Sequence, residues 1–533
     1  MPTPQILPKI PLRALAIVLL LALLGRCLLL AADVVSFHSD EAVVGLMARH
    51  ITQGNAPVFF YGQAYMGSLD AWLIAAGFAL FGDSVLTIRV VQSALYLLAV
   101  ALSFAAGWRL SGNTIVASVS GLTLAVPPTL LALYTTATLG GYNETLILGA
   151  GVIILAWDVT HEHAASRWRW LALGVCAGLG WWTNGLIVVY ALPAAMLLLW
   201  TWIRQRRVPF GGLALALVGF AVGSLPWWWF NLEHDFAALR FYLAPGTLGP
   251  EFAAVNMAAP PLGERLLGLL LFGLPALIGL RFPWSGEFFA LAVGVLVLAV
   301  FISAVVQLAR RDGALKPEAR GLLLAMLGAF AVVFLVSRFS FDPTGRYFLP
   351  LSLPLGIALG ALVAGLRRAP LRWAVTALVI GYFAAGQISA ALTPPGLTTQ
   401  FNLVEHIPND DDQTLIDFLD QHDLARGYTT YWVSFRLAFL SGERLQFSAA
   451  LPPKPDLTYT SAYERLPAYR AASDAAERIA YISANVPELD AALEAWFASR
   501  RVDYQRTRIG AYTVYYDFAP EPPRPPFPFI AAS

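Results

Sequence analysis

Two adjacent carboxylates, Asp40 and Glu41, stand in the stretch FHSDEAVVGLMARH (residues 37–50), just after an apolar run, PLRALAIVLLLALLGRCLLLAA, long enough to cross a bilayer. A carboxylate held at a membrane surface can take the proton of a hydroxyl nucleophile and stabilise positive charge developing on a nearby carbon. The same acids can simply open a helix. Val43, Leu46, Met47, His50 and Ile51 recur at helical spacing, Ser39 is a good N-cap, and acids in a first turn suit the helix dipole. Neighbouring helical residues point about 100° apart. Only one of the two carboxylates therefore points easily into a given site, which argues against a metal site built from this pair alone.

Three further groups carry candidate chemistry. The loop APVFFYGQAYMGSLDAW (56–72) sets Tyr61, Gln63, Tyr65 and Asp70 among small residues; aromatics there suit either a membrane-interface belt or the face of a sugar. In LGGYNETL (139–146), Glu144 opens an apolar run, either as a helix start capped by Asn143 or as a functional acid, since ionisable groups in such positions mark sites. In SRFSFDPTGRYFLPLSLPL (337–355), Arg338 and Arg346 flank a Pro-Gly turn between two apolar spans. One such arginine is explained by snorkelling; two point to an anion such as a phosphate held by a guanidinium fork.

These groups need a scaffold. The 533 residues are 58% hydrophobic and 13% charged with mean hydropathy +0.63, against about 25% charged in soluble domains. The expected fold is a polytopic all-α membrane domain, because lipid excludes open sheets. Eleven apolar spans read at about 11–31, 85–107, 113–133, 144–157, 170–182, 185–203, 210–230, 288–309, 321–338, 346–366 and 371–391. Basic clusters near 204–207, 310–320 and 367–372 fall on one side, as the positive-inside rule asks, if 170–203 breaks at WWTNG (181–185) and neither 67–81 nor 263–281 crosses. Residues 32–84, 134–143, 231–287, 339–345 and everything after 391 then lie outside. The first span also resembles a signal peptide, but its length favours an uncleaved anchor.

Eighteen of the 34 acidic residues lie after residue 399, which marks a change of character. The expected organisation is a membrane domain over 1–391, a linker at 392–400, a small soluble α/β domain over 401–518 and a proline-rich disordered tail at 519–533. Within the α/β domain GYTTYWV and ERIAYIS read as strands, LIDFLDQHDLA and ELDAALEAWFASRR as helices, and VDYQRTRIGAYTVYYDF as a hairpin. Cys27 and Cys176 lie in apolar runs without disulfide or metal spacing. No P-loop occurs, and GVCAGLG (174–180) lies inside a span, where a dinucleotide reading fails.

HSDEA after the first span, YGQAYMGSL, LFGDSVLTIRV, LPWWWFNL and GRYFLPLSLPL together resemble the GT-C membrane glycosyltransferases. The branch is that of dolichyl-phosphate-mannose protein mannosyltransferases and lipid A aminoarabinose transferases. The resemblance covers about residues 11–391. It implies an inverting hexosyl- or pentosyltransferase that moves a monosaccharide from a polyprenyl-phosphate donor to a lipid, glycan or protein hydroxyl. Transfer would occur on the exterior face, by implication of a prokaryotic plasma membrane. It also implies Asp40 as base with Glu41 beside it, and Glu144 with Asn143 as acceptor- or metal-supporting groups. Arg346, Arg338 and Tyr347 would hold the donor phosphate, and His38, Tyr61, Gln63 and Tyr65 the sugar or lipid. A divalent cation shared by Asp40 and Glu144 is compatible with this, although no ligand spacing demands one. Membrane lipids are expected partners and nucleic acid is not. The acids at the exterior edge and the absence of a visible repeat set this reading above a flippase or transporter of a lipid-linked sugar. A glycan-binding membrane protein without turnover is the third reading.

Overall fold

The computed structural model describes residues 9–161, 166–243, 260–310, 313–337, 340, 342–401, 406–529 and 531–532. Among these, eight helices have the length and apolarity to cross a membrane: Leu12–Ala31, Val85–Ser111, Tyr142–His161, Gly185–Gln205, Leu291–Ala309, Pro317–Val336, Arg346–Gly365 and Ala369–Leu392. Phe210–Gly223 and Leu225–Glu233, bent by 58° about Ser224, make a ninth if taken as one span. The chain is a multi-pass integral membrane protein.

Two of the eleven expected spans fall short. The run 113–133 breaks at Pro127-Pro128 into Thr114–Ala125 and Thr129–Tyr134, because proline has no N–H to give and its ring clashes with the preceding turn. The run 170–182 is a helix of 17 residues, Arg167–Thr183, ended by Asn184, whose side chain accepts from the Leu186 N–H at 3.0 Å. That is the break expected at WWTNG. The two doubtful stretches are short as well. One holds the helix Leu69–Phe81; the other is divided into Leu262–Leu267, a π-helical turn Gly268–Gly273 and Leu274–Leu277.

The chain divides into two compact units. The first comprises the described parts of 1–35, 89–233 and 258–401. Within it, Arg167–Thr183 packs backbone to backbone against Phe210–Gly223. A β-carbon on Gly178 would lie 2.3 Å from the Phe220 carbonyl oxygen, and one on Gly219 would lie 2.2 Å from that of Leu171. The backbones touch, the small-residue packing expected where lipid supplies no hydrophobic drive between helices. The glycines of GVCAGLG therefore serve packing. Arg26, buried inside the first span, donates to the Ala132 carbonyl at 3.3 Å and to the hydroxyls of Thr135 and Thr136, with Tyr96 beneath it at 3.8 Å. A charge in that position persists because both terminal nitrogens find acceptors.

The second unit comprises the described parts of 36–88, 234–257 and 402–533. It joins the Ser39–Thr52 helix, the hairpin Phe59–Phe60/Gln63–Gly67 and the Leu69–Phe81 helix to a five-stranded sheet. The strand order is Gln446–Leu451, Arg426–Thr430, Ala480–Ala484, Tyr512–Ala519, Asp503–Ile509; the first three run parallel and the last two antiparallel. Two expectations are corrected. GYTTYWV is not one strand: the strand stops at Thr430 and Tyr431 opens the helix Tyr431–Leu440. The proline-rich end is not disordered through 529. Arg524 donates to the carbonyls of Ser473 and Asp474 at 3.0 and 2.8 Å, Tyr481 donates to that of Pro523, and Phe527 is buried against Tyr428 and Trp496. Proline denies that stretch a ladder but not side-chain packing.

Candidate functional site

Asp40 and Glu41 open the Ser39–Thr52 helix and diverge as helical geometry requires. Glu41 is fully buried and Asp40 half-buried. The cap is His38, not Ser39: His38 Nδ1 accepts from the Asp40 N–H at 3.2 Å, and its ring stands edge-on to Trp432. Ser39 instead donates to the Tyr431 carbonyl at 2.6 Å. Asp40 Oδ1 accepts from the Tyr431 hydroxyl, and among the described residues Oδ2 has no protein partner. Burial, and after it the Asp40 carboxylate, holds Tyr431 well above the usual phenol range, so it stays a protonated donor.

The aromatic loop converges on the same place through an arginine. The hairpin turns at Tyr61-Gly62; Gly62 has φ +71°, and a β-carbon there would press on Arg465 Cδ at 3.3 Å. With its amide orientation assigned from hydrogen bonding, Gln63 accepts from both terminal nitrogens of Arg465 at 2.7 and 3.0 Å and donates to Tyr65 Oη at 3.2 Å. The Arg465 guanidinium lies 5.6 Å from the ring centres of both Phe60 and Tyr431, and its Nε is buried without a partner among the described residues. Tyr65 stacks on Phe241 at 4.5 Å. Gln63, Tyr65, Arg465, Tyr431 and Asp40 thus form one chain of contacts. Tyr61 belongs to another: it meets His50 Nδ1 at 2.7 Å, while His50 Nε2 meets Glu443 at 3.0 Å and Tyr469 donates to Glu443 at 2.7 Å. Burial, with the Glu443 charge, pushes Tyr61 up to about 12.

In the first unit, Glu144 and Asn143 lie in the opening turn of Tyr142–His161 and are both buried. Asn143 is not the cap. Its amide donates to the Gln92 carbonyl at 2.8 Å and to Gln92 Oε1 at 3.1 Å, and Gln92 Nε2 donates to Glu144 Oε1 at 3.1 Å. Asn143 Oδ1 is buried and has no hydrogen-bond partner among the described residues. Gln92 thus ties two expected site residues into one polar cluster inside an apolar bundle.

Arg346 pairs with Asp342 at 2.7 Å and reaches Tyr347 Oη at 3.5 Å. Asp342 is held in turn by the Thr344 N–H at 2.8 Å and the Thr344 hydroxyl. Arg338, the other expected phosphate ligand, lies outside the described residues. A different arginine is present: Arg281 is 1% exposed and donates to the Pro343 carbonyl, but its Nε and Nη1 are buried with no partner among the described residues. Burial draws its guanidinium down to about 10, so it remains a cation at neutral pH. A buried cation with two unmet donors is costly unless an acceptor visits.

Sequence reasoning missed Tyr431, Arg465, Gln92, Asp342 and Arg281. Asp342 carries a signal, because it sits four residues before Arg346 in an Asp-Pro-Thr-Gly turn. The others carry none, being single residues brought in by the fold. Among the described residues no group of three or more His, Cys, Asp or Glu is placed to hold a metal ion. No step is assigned to a cation.

Residues 68–229 match the family model for dolichyl-phosphate-mannose-protein mannosyltransferase. No curated protein sequence matches the chain. Among solved structures, ArnT from Cupriavidus metallidurans bound to undecaprenyl phosphate aligns over 96% of this chain and 99% of its own, at 14% identity and TM-score 0.57. The apo state of that protein aligns over 94% and 98%, at 13% identity and TM-score 0.60. The oligosaccharyltransferase of Archaeoglobus fulgidus aligns over 89% and 69%, at 12% identity and TM-score 0.52. The chain therefore has the fold of the GT-C membrane glycosyltransferases, as its HSDEA, YGQAYMGSL and GRYFLPLSLPL elements led us to expect.

Proposed function

We propose that this protein is an inverting glycosyltransferase that moves a monosaccharide from a polyprenyl-phosphate donor to a hydroxyl of a lipid, glycan or protein on the exterior membrane face. The observation that carries the reading is Asp40: a half-buried carboxylate at a helix start, held on one oxygen by Tyr431 with the other available. In this reading Asp40 takes the acceptor proton as the acceptor oxygen attacks the anomeric carbon. The bond from that carbon to the donor phosphate breaks, and polyprenyl phosphate leaves with the electron pair. A single displacement needs one base and no covalent enzyme intermediate. Negative charge grows on the departing phosphate, and preorganised cationic donors lower the barrier to that growth. Arg346 is the proposed clamp, and Arg281, with two unmet donor nitrogens among the described residues, its companion. Glu144 and Asn143 orient the acceptor or a neighbouring helix turn through Gln92. The undecaprenyl phosphate bound by the structurally similar ArnT supports a lipid-phosphate donor.

The test uses membranes from cells expressing wild type or Asp40→Asn, supplied with a panel of radiolabelled undecaprenyl-phosphate hexoses and pentoses and an envelope acceptor fraction. A base contributes about 10²–10⁴-fold, so transfer should fall at least a hundredfold in the variant. Undiminished transfer by Asp40→Asn would remove the base, and a wild type that transfers nothing from any donor would remove the function.

A further inference from the structure

Tyr431 lies 391 positions from Asp40 in the chain, yet its hydroxyl is spent on that carboxylate. The ring is 2% exposed. Its backbone carbonyl holds Ser39, the residue before Asp40, so Tyr431 grips the helix start by main chain and side chain together. Beside the ring stands Arg465, whose guanidinium also acts on the Tyr431 hydroxyl and is itself fixed by the Gln63 fork and by Phe60. A base oriented by a third group is a recurrent arrangement: the orienter sets which lone pair faces the reacting proton and takes no part in bond making.

We propose that Tyr431 is the positioning residue of Asp40, with Arg465 as the strut that fixes Tyr431, so that the segment after residue 402 completes the reaction site rather than merely decorating it. The proposal rests on the reading of Asp40 as base. A phenol donating to Oδ1 stops the carboxylate rotating and leaves Oδ2 for the acceptor hydroxyl. Without the donor, Asp40 still carries its charge but samples orientations that do not meet the acceptor. The loss should appear in kcat and leave the KM for the donor nearly unchanged, because the phenol touches no substrate.

The experiment compares Tyr431→Phe, Asp40→Asn and the double variant with wild type, using whichever labelled undecaprenyl-phosphate sugar the wild type transfers. Thermal melting of each purified protein normalises for folded enzyme. The expected result is a fall of about tenfold in kcat for Tyr431→Phe, a KM within about twofold of wild type, and a double variant no slower than Asp40→Asn alone. Should Tyr431→Phe fail to fold, Arg465→Met removes the strut and keeps the phenol and its bond to Asp40. It should lose several-fold in kcat on wild type and nothing further on Asp40→Asn. Full activity of Tyr431→Phe alongside an inactive Asp40→Asn would overturn the positioning role and leave the base intact. A double variant slower than Asp40→Asn by the same factor that Tyr431→Phe costs alone would reduce Tyr431 to a packing residue. An active Asp40→Asn would remove the base reading itself.

Discussion

Replacing Asp342 by asparagine should weaken the protein and tighten its grip on a lipid phosphate. Asp342 Oδ2 lies 2.7 Å from Arg346 Nε, with side-chain exposures of 10% and 35%. The asparagine keeps an oxygen for the Thr344 N–H, which now bonds Oδ1 at 2.8 Å, but sets an NH₂ group or an uncharged oxygen against the guanidinium. Removing one partner of a fully buried pair costs about 3–5 kcal/mol. A third of the Arg346 side chain meets solvent, so the cost here falls to about 1–2 kcal/mol. The effect on binding has the opposite sign. A phosphate seated on Arg346 stands roughly 6 Å from the Asp342 carboxylate, and two unit charges at that distance repel by about 3 kcal/mol at an effective dielectric of 20. Lost orientation of the arginine returns about half of that. The net gain of about 1–1.5 kcal/mol corresponds to roughly five- to tenfold tighter binding. Undecaprenyl phosphate titrated into detergent-solubilised protein, with melting curves on the same samples, reads both quantities. Binding weakened in Asp342→Asn as much as in Arg346→Gln would show that the carboxylate only supports the arginine. Unchanged affinity in both variants would refute the clamp.

Two further outcomes test packing and pH response. Gly178→Leu places a side chain where the Phe220 carbonyl already blocks a β-carbon at 2.3 Å. Overpacking of that kind costs about 1–3 kcal/mol or more, so the variant should melt lower in detergent, whereas Gly211→Leu, with open space around its β-position, should not; equal melting of the two would refute the close approach. For Glu443, burial raises the carboxyl pKa, but hydrogen bonds from His50 and Tyr469 and the nearby charge of Arg49 outweigh it and hold the group below the usual glutamate range. A depressed folded-state pKa adds stability that is full above about pH 4.3 and is lost as pH falls through the folded value. Glu443→Gln should therefore be less stable than wild type at pH 7 by about 1–2 kcal/mol, with the gap closing below about pH 4. A gap constant from pH 7 to pH 3 would contradict the linkage.

The membrane fold was legible because its signals are local. Twenty apolar residues announce a crossing, and Asn184-Gly185 and Pro127-Pro128 announce breaks, although the proline pair splits a run that hydropathy alone reads as continuous. The divergence of Asp40 and Glu41 followed from helical geometry. The partners did not. Tyr431 sits in GYTTYWV, whose composition suits a strand, and the switch to helix at that residue depends on tertiary packing. Arg465 and Gln92 are single polar residues without periodicity, and Arg281 ends an apolar stretch where a charge reads as an interface anchor. Preference rank favours Ser39 as the cap, yet the helix already begins at Ser39, so His38 stands at the cap position and supplies the acceptor.

The long-range bond between Asp40 and Tyr431 also sets a clock on biogenesis. Ribosomes add about 5–20 residues per second. The 391 positions between the two residues therefore hold the first loop without its partner for roughly 20–80 s. Over that interval the donors and acceptors of Ser39, Asp40 and Gln63 must be met by water or a chaperone, while the rest of the membrane bundle inserts. A chain released early would thus be inserted and apolar in all the right places, and still lack the surface that closes over its own first acidic turn.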